Sequence, residues 1–266
     1  MKGIVKAVIL GDAMIPSSLF VPAFERYISE FTQDVTYSEW EPDWDRLQYR
    51  RLEVEKNGPG IEAVPELLSQ TPEGEMLLGL FVPVSTAVLD AMPNLRLIGV
   101  CRAGLENVDV AEATKRGVLV FNVRGRNAEA VSDFTVGLIL AEARNIARAH
   151  LSIKTGEWRK EFSNSESIPE LKGKNVGIVG FGYIGRLVAA KLSGFRMNIL
   201  VYDPFVEDQV LSEHGAVGLT KEEIFRNSDF ITIHARLTPE TRGLVGRKEL
   251  SAMKPTAYLI NTGRAG

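Results

Sequence analysis

Val176-Gly177-Ile178-Val179-Gly180-Phe181-Gly182-Tyr183-Ile184-Gly185, continued by Asn198-Ile199-Leu200-Val201-Tyr202-Asp203, decides the fold. The apolar run 176–179 reads as a strand that enters a glycine turn, residues 184–192 read as a helix, and 198–202 as a second strand ending on an acid. Each glycine has its own task. Gly180 permits the tight bend, Gly182 lets backbone come close to a pyrophosphate, and Gly185 lets the helix pack against the strand. The helix start, rich in unpaired amides, attracts an anion without a basic side chain. The Asp203 carboxylate suits the ribose hydroxyls of an adenosine and repels a 2′-phosphate, so the ligand these residues describe is NAD rather than NADP. A glycine turn between strand and helix also occurs for packing alone; the flanking strands and the acid at its offset argue against that simpler reading.

Working outward, the first part of the chain alternates patterns: strands at 6–11, 79–82, 97–100 and 118–121, and helices at 20–31, 85–92 and 110–115. Such alternation implies a parallel sheet. Residues 36–71, rich in Glu, Asp, Pro and Gly, read as a helix plus a long loop, with Trp40 and Trp44 as packing residues. Residues 128–152 carry Val131, Phe134, Leu138, Ala141 and Ile146 at helical spacing and predict one long helix, apolar enough in its first half to be buried between lobes or in a homodimer. Beyond the glycine turn, 229–234 and 257–261 read as strands and 221–226 and 247–253 as helices. The expected architecture is α/β, with two Rossmann-like or flavodoxin-like open parallel-sheet lobes, residues 1–122 and 123–266, the second carrying the glycine turn for NAD. No short repeat or low-complexity tract is present.

Composition narrows the class. The 266 residues carry 31 Lys and Arg against 34 Asp and Glu, with no basic block or acidic tail, which argues against nucleic acid or a charged membrane surface as the partner. Cys101 is the sole cysteine, so neither an intrachain disulfide nor a cysteine-based metal site is expected, and cytoplasmic residence follows. The N-terminal residues lack a signal-peptide layout, and no apolar stretch is long enough to span a bilayer.

Other segments carry candidate chemistry. The loop Cys101-Arg102-Ala103-Gly104-Leu105-Glu106-Asn107-Val108-Asp109 follows a strand and holds glycine, so its backbone amides suit a carboxylate; an ordinary turn capped by Asn107 or Asp109 is the competing reading. Arg102 is an assistant for an anionic substrate or a solvated loop arginine. Arg264, in Asn261-Thr262-Gly263-Arg264, stands beyond a strand end, where a guanidinium can grip a carboxylate and polarise a carbonyl; a surface arginine is the alternative. His234 ends a strand, while His150 and His214 read as surface residues.

Together the loop 104–109, the segments 117–122 and 127–135, the glycine turn, Tyr202-Asp203-Pro204, Leu237-Thr238-Pro239-Glu240-Thr241-Arg242-Gly243-Leu244 and 261–264 resemble the D-isomer-specific 2-hydroxyacid dehydrogenases, phosphoglycerate dehydrogenase-like branch. The resemblance implies two lobes with a cleft between them, residues 1–122 binding substrate and 123–266 binding NAD and lacking the C-terminal end of their sheet, and NAD-dependent oxidation of a small D-2-hydroxy acid or reduction of a 2-oxo acid. It implies that Arg264 binds the substrate carboxylate and carbonyl oxygen, that Ala103 and Gly104 supply amides, and that Asn127 lies on the substrate side. It places Tyr183 and Ile184 over the pyrophosphate, Ala235 and Thr238 beside the adenosine ribose, and Thr262 and Gly263 near the nicotinamide.

Three departures stand out. Arg236 replaces the family's usual proline, and positions near Val82 and Val100, where phosphoglycerate dehydrogenases resemble one another in offering arginine, are apolar, which speaks against a phosphorylated substrate. The family's catalytic Glu and its histidine acid-base lie downstream of the arginine motif, so the sequence is expected to be part of an enzyme about 50 residues longer, judged against two packed α/β domains. The alternative function is a non-catalytic NAD(H)-sensing, corepressor-like binding protein; a downstream Glu and His would discriminate in favour of catalysis.

Overall fold

The computed structural model describes residues 6–29, 34–167 and 170–263. The chain divides into two compact units, Met1–Arg126 and Asn127–Gly266, each built on one five-stranded parallel sheet.

In the first unit the sheet order is β2-β1-β3-β4-β5, from β1 (Lys6–Asp12), β2 (Asp34–Glu41), β3 (Met76–Gly79), β4 (Leu97–Val100) and β5 (Leu119–Asn122). The continuous run Ala7-Val8-Ile9-Leu10 is buried on both faces, as a central parallel strand requires. One face, through Val8, Leu10, Leu77 and Ile98, packs on α2 (Trp44–Asn57), α3 (Glu66–Gln70), α4 (Thr86–Ala91) and α5 (Val110–Lys115). The opposite face packs Ala7, Ile9 and Met76 against Phe24 of α1 (Val21–Tyr27).

The structure departs from the sequence expectations in several places. The strand expected at 79–82 ends at Gly79, because Leu80, Phe81 and Val82 turn inward as buried loop residues that close the core rather than extend the sheet. The region 36–71 is not a helix plus loop: it opens with the edge strand β2, then α2 capped by the Asp43 side chain, then α3. Trp40 does pack in the core, with the Arg50 guanidinium 4.3 Å from its ring centre, whereas Trp44 is exposed.

The second sheet has the order β10-β9-β6-β7-β8, from β6 (Asn175–Val179), β7 (Asn198–Tyr202), β8 (Ala216–Gly218), β9 (Phe230–Ile233) and β10 (Tyr258–Asn261). Val176, Ile178, Ile199, Val201 and Phe230 meet α6 (Ala128–Ala143) and α8 (Tyr183–Ser193) on one side. Val179 and Ile231 meet α10 (Lys221–Asn227) on the other. The short α9 (Asp208–Glu213) and β8, absent from the sequence reading, complete this edge. The single helix expected over 128–152 is two, α6 and α7 (Ile146–Lys154), because Asn145 adopts a left-handed backbone with φ 55°. Its amide group bonds Asn164 at 2.8 Å and accepts from Arg148 at 3.0 Å, which fixes the break. The helix α11 is Arg247–Ala252. Among the described residues no helix is long and apolar enough to cross a membrane.

Candidate functional site

The strand order makes β6 a point of reversal: the chain leaves it through α8 to β7 on one side and returns later to β9 on the other. A crevice forms outside the carboxyl ends of strands at such a reversal. The residues that collect there are Gly180 after β6, Asp203 after β7, His234 and Ala235 after β9, and Thr262 and Gly263 after β10.

Two of the three turn glycines are required by contacts, and the third faces open space. Gly180 has φ +95°, and a Cβ there would stand 2.5 Å from the Ala235 nitrogen. A Cβ on Gly185 would collide with the Gly180 carbonyl oxygen, so α8 can lie on the turn only without one. A Cβ on Gly182 would meet nothing within 4 Å, so open space lies in front of the helix start. Gly182 also offers no side-chain cap, and the first turn of α8 holds no acidic residue. The opening amides of α8 thus find no side-chain acceptor among the described residues, as anion binding there demands. Asp203 accepts the Phe181 N–H through Oδ2 at 2.7 Å and the Phe205 N–H through Oδ1 at 3.0 Å. A carboxylate has about four acceptor sites, so two ribose hydroxyls can still be met. These features fit a dinucleotide.

The remaining residues of this edge are tied locally. Thr262 and Thr135 of α6 share a 3.0 Å hydroxyl contact, and the Gly263 N–H donates to Asn261 Oδ1 at 2.9 Å. The Thr238 N–H donates to the Thr241 hydroxyl at 2.7 Å, shaping the segment after β9. His234 is held by a 3.0 Å contact between Nε2 and the Thr232 hydroxyl, and burial depresses its pKa to about 4, so the ring is neutral at pH 7. His150 is exposed, whereas His214 is half-buried with its ring edge-on to Phe181, not a surface residue. Arg264 lies outside the described residues.

In the first unit the loop after β4 presents its backbone in one sense. The carbonyls of Arg102 and Ala103 accept from the Val123 N–H at 3.0 Å and the Asn122 side chain at 2.6 Å. The amides of Ala103 and Gly104 donate to no acceptor among the described residues. Asp109 caps α5 by accepting the Glu112 N–H at 3.0 Å, while Asn107 instead donates to the Val82 carbonyl at 2.8 Å. Arg102 is no solvated loop residue: it is buried over Phe81 and paired with Glu55 at 2.6 Å and Glu106 at 3.1 Å. Two carboxylates therefore take up its charge. Asn127 is exposed at the start of α6 and makes no side-chain cap.

Sequence reasoning missed Asp12, which is buried at the carboxyl end of β1 and fastens the loop after β3 through the Phe81 N–H at 3.3 Å. Burial pushes its pKa up, opposed by the amides of Ile15 and Met14. It missed Arg186 as well, whose Nε donates to the Phe181 carbonyl at 3.1 Å. No local pattern marks either residue.

Residues 136–266 match the family model described as D-isomer specific 2-hydroxyacid dehydrogenase, NAD binding domain. The chain is 37% identical over 222 residues to the hydroxypyruvate reductase of Thermotoga maritima, an alignment covering 83% of this chain and 70% of that one. It belongs to the D-isomer specific 2-hydroxyacid dehydrogenase family. The glyoxylate reductase of Thermococcus litoralis is 39% identical over 203 residues, 74% of this chain and 61% of that protein. The D-3-phosphoglycerate dehydrogenase of Methanocaldococcus jannaschii is 38% identical over 205 residues, 76% of this chain and 38% of that protein. The alignments thus span between 38% and 70% of these relatives. The fold is that of the D-lactate dehydrogenase of Aquifex aeolicus solved with NAD and lactic acid, with a TM-score of 0.70 at 24% identity, covering 96% of this chain and 69% of that one. The second unit thus carries the family's NAD binding domain.

Proposed function

We propose that the protein is an NAD-dependent oxidoreductase that moves a hydride between nicotinamide and a small D-2-hydroxy or 2-oxo acid. The observation that carries this is the uncapped start of α8 behind Gly182, with Asp203 beside the same turn. Bound NAD supplies the hydride acceptor, or NADH the donor. Gly180, Gly182, Tyr183, Ile184 and Gly185 hold the pyrophosphate, and Asp203 takes the ribose hydroxyls and selects against a 2′-phosphate. Ala235 and Thr238 border the adenosine ribose, and Thr262 and Gly263 the nicotinamide.

The first lobe, residues 1–122, binds the substrate. The unpaired amides of Ala103 and Gly104 receive its carboxylate, and Arg102, neutralised by Glu55 and Glu106, holds the loop in shape. Asn127 is a further substrate-side group. Arg264 polarises the carbonyl and stabilises the oxygen charge that develops as hydride moves. Buried Val82 and Val100 offer no cation to a phosphate, which supports an unphosphorylated acid. A homodimer through residues 128–152 is supported by exposed Phe134, Ile146 and Leu151. A single cysteine supports residence in the reducing cytoplasm.

NADH oxidation followed by absorbance against glyoxylate, pyruvate, hydroxypyruvate and longer 2-oxo acids tests the proposal. Turnover with at least one acid is expected. A full-length protein that binds NADH and turns over none of them would overturn it.

A further inference from the structure

The residue between the two turn glycines has no assigned task in a glycine-rich phosphate turn, yet here it is gripped at three points. The Phe181 N–H donates to Asp203 Oδ2 at 2.7 Å, and its carbonyl accepts from Arg186 Nε at 3.1 Å. Its ring is fully buried, edge-on to His214 with centroids 5.5 Å apart, and the Arg186 guanidinium carbon stands 5.8 Å from the ring centre. The two polar grips come from different elements, the end of β7 and the first turn of α8.

We propose that Arg186 is a positioning residue for the dinucleotide, holding the Gly180–Gly182 turn against Asp203 so that the α8 amides stay open to a pyrophosphate. This rests on reading the second unit as the NAD site. The physical need is entropic. A turn flanked by two glycines has many backbone states, and a ligand that must select one of them loses affinity. Fixing both peptide groups of Phe181 beforehand removes that cost.

Arg186 has a second attribute that suits the site. The residue is exposed, and its Nη groups donate to no partner among the described residues, so the guanidinium adds positive charge beside a helix start of the same sign. The other cation of this helix is spent elsewhere: Lys191 is paired with Glu129 at 2.8 Å and Asp133 at 2.6 Å. Asp203 and Arg186 form no ion pair with each other, so the turn couples them without cancelling either charge.

The test is calorimetric titration of wild type, R186A and R186Q with NADH, ADP-ribose and adenosine, alongside their thermal midpoints. R186A should weaken NADH and ADP-ribose by about tenfold, the scale of one charge-assisted hydrogen bond, and leave adenosine within about twofold. R186Q keeps a donor for the Phe181 carbonyl and should recover part of the loss, and the three midpoints should coincide because the side chain is exposed. Should R186A unfold at a lower temperature, R186Q against wild type carries the comparison. ADP-ribose binding unchanged in both variants would overturn the role of Arg186 alone, as would an equal loss for adenosine. A wild-type protein that binds neither NADH nor ADP-ribose would overturn the NAD reading and this proposal with it.

Discussion

His234 shows what burial does to one titratable residue at the edge of the site. Its ring sits at the end of β9 with Nε2 against the Thr232 hydroxyl at 3.0 Å, and burial lowers its pKa from 6.5 to about 4. The unfolded chain therefore binds a proton in a range where the folded chain does not. Stability from this residue is complete above pH 6.5, is lost as pH falls from 6.5 towards 4, and amounts to about 3 kcal/mol across the window. In H234Q that loss should be absent. Urea midpoints of both proteins between pH 7 and 4 check it, and parallel pH profiles would show that this ring is not linked to folding. The same residue illustrates a limit of sequence reading: the sequence shows only a histidine at a strand end, and its surroundings decide that it is neutral and occupied.

The glycine turn and α8 act as one element, and two of its glycines separate binding from stability. G182A puts a methyl into open space at a position whose φ of −78° any residue can adopt, so the fold should survive while the methyl occupies the approach of the pyrophosphate. NADH affinity should fall by at least about tenfold with little change in thermal midpoint. G185A drives a methyl into the Gly180 carbonyl, so β6 and α8 must part, at a cost of about 1–3 kcal/mol. Denaturation curves and NADH titrations of the two variants should therefore diverge in opposite ways. A G182A protein that binds NADH as wild type does would remove the pyrophosphate from this helix start. Elements with strong local signals were legible at this scale: β4, α5 and β7 fall at the residues their periodicity marks. The helix break at Asn145 was not, because asparagine is tolerated inside a helical pattern and its left-handed state is held by Asn164, 19 residues away.

Across the whole molecule, the two units bury apolar cores on both faces of their sheets, yet some large apolar side chains remain in solvent. In the second unit Phe134 is 62% exposed and Leu151 63% exposed, which a second copy of the chain would cover in the proposed dimer. Wild type should sediment as a dimer, and L151E should shift it towards monomer, with the far-ultraviolet dichroism unchanged. A wild-type protein that stays monomeric at micromolar concentration would exclude this assembly.

By itself the sequence determined the two α/β lobes, the family, and the strand, glycine turn, helix and acid that make a dinucleotide site. Those are local properties: apolar runs, glycines that alone can turn or approach closely, and an acid at a set distance along the chain. Tertiary structure decided the rest. The polar strand β2, Asp34–Glu41, becomes a strand only because β1 offers it an edge. Arg102 is paired with Glu55, 47 residues away in sequence, and Phe181 is clamped by Asp203 from 22 residues away. Pairings of that kind depend on where the fold returns the chain, and nothing in the spacing of the residues encodes them.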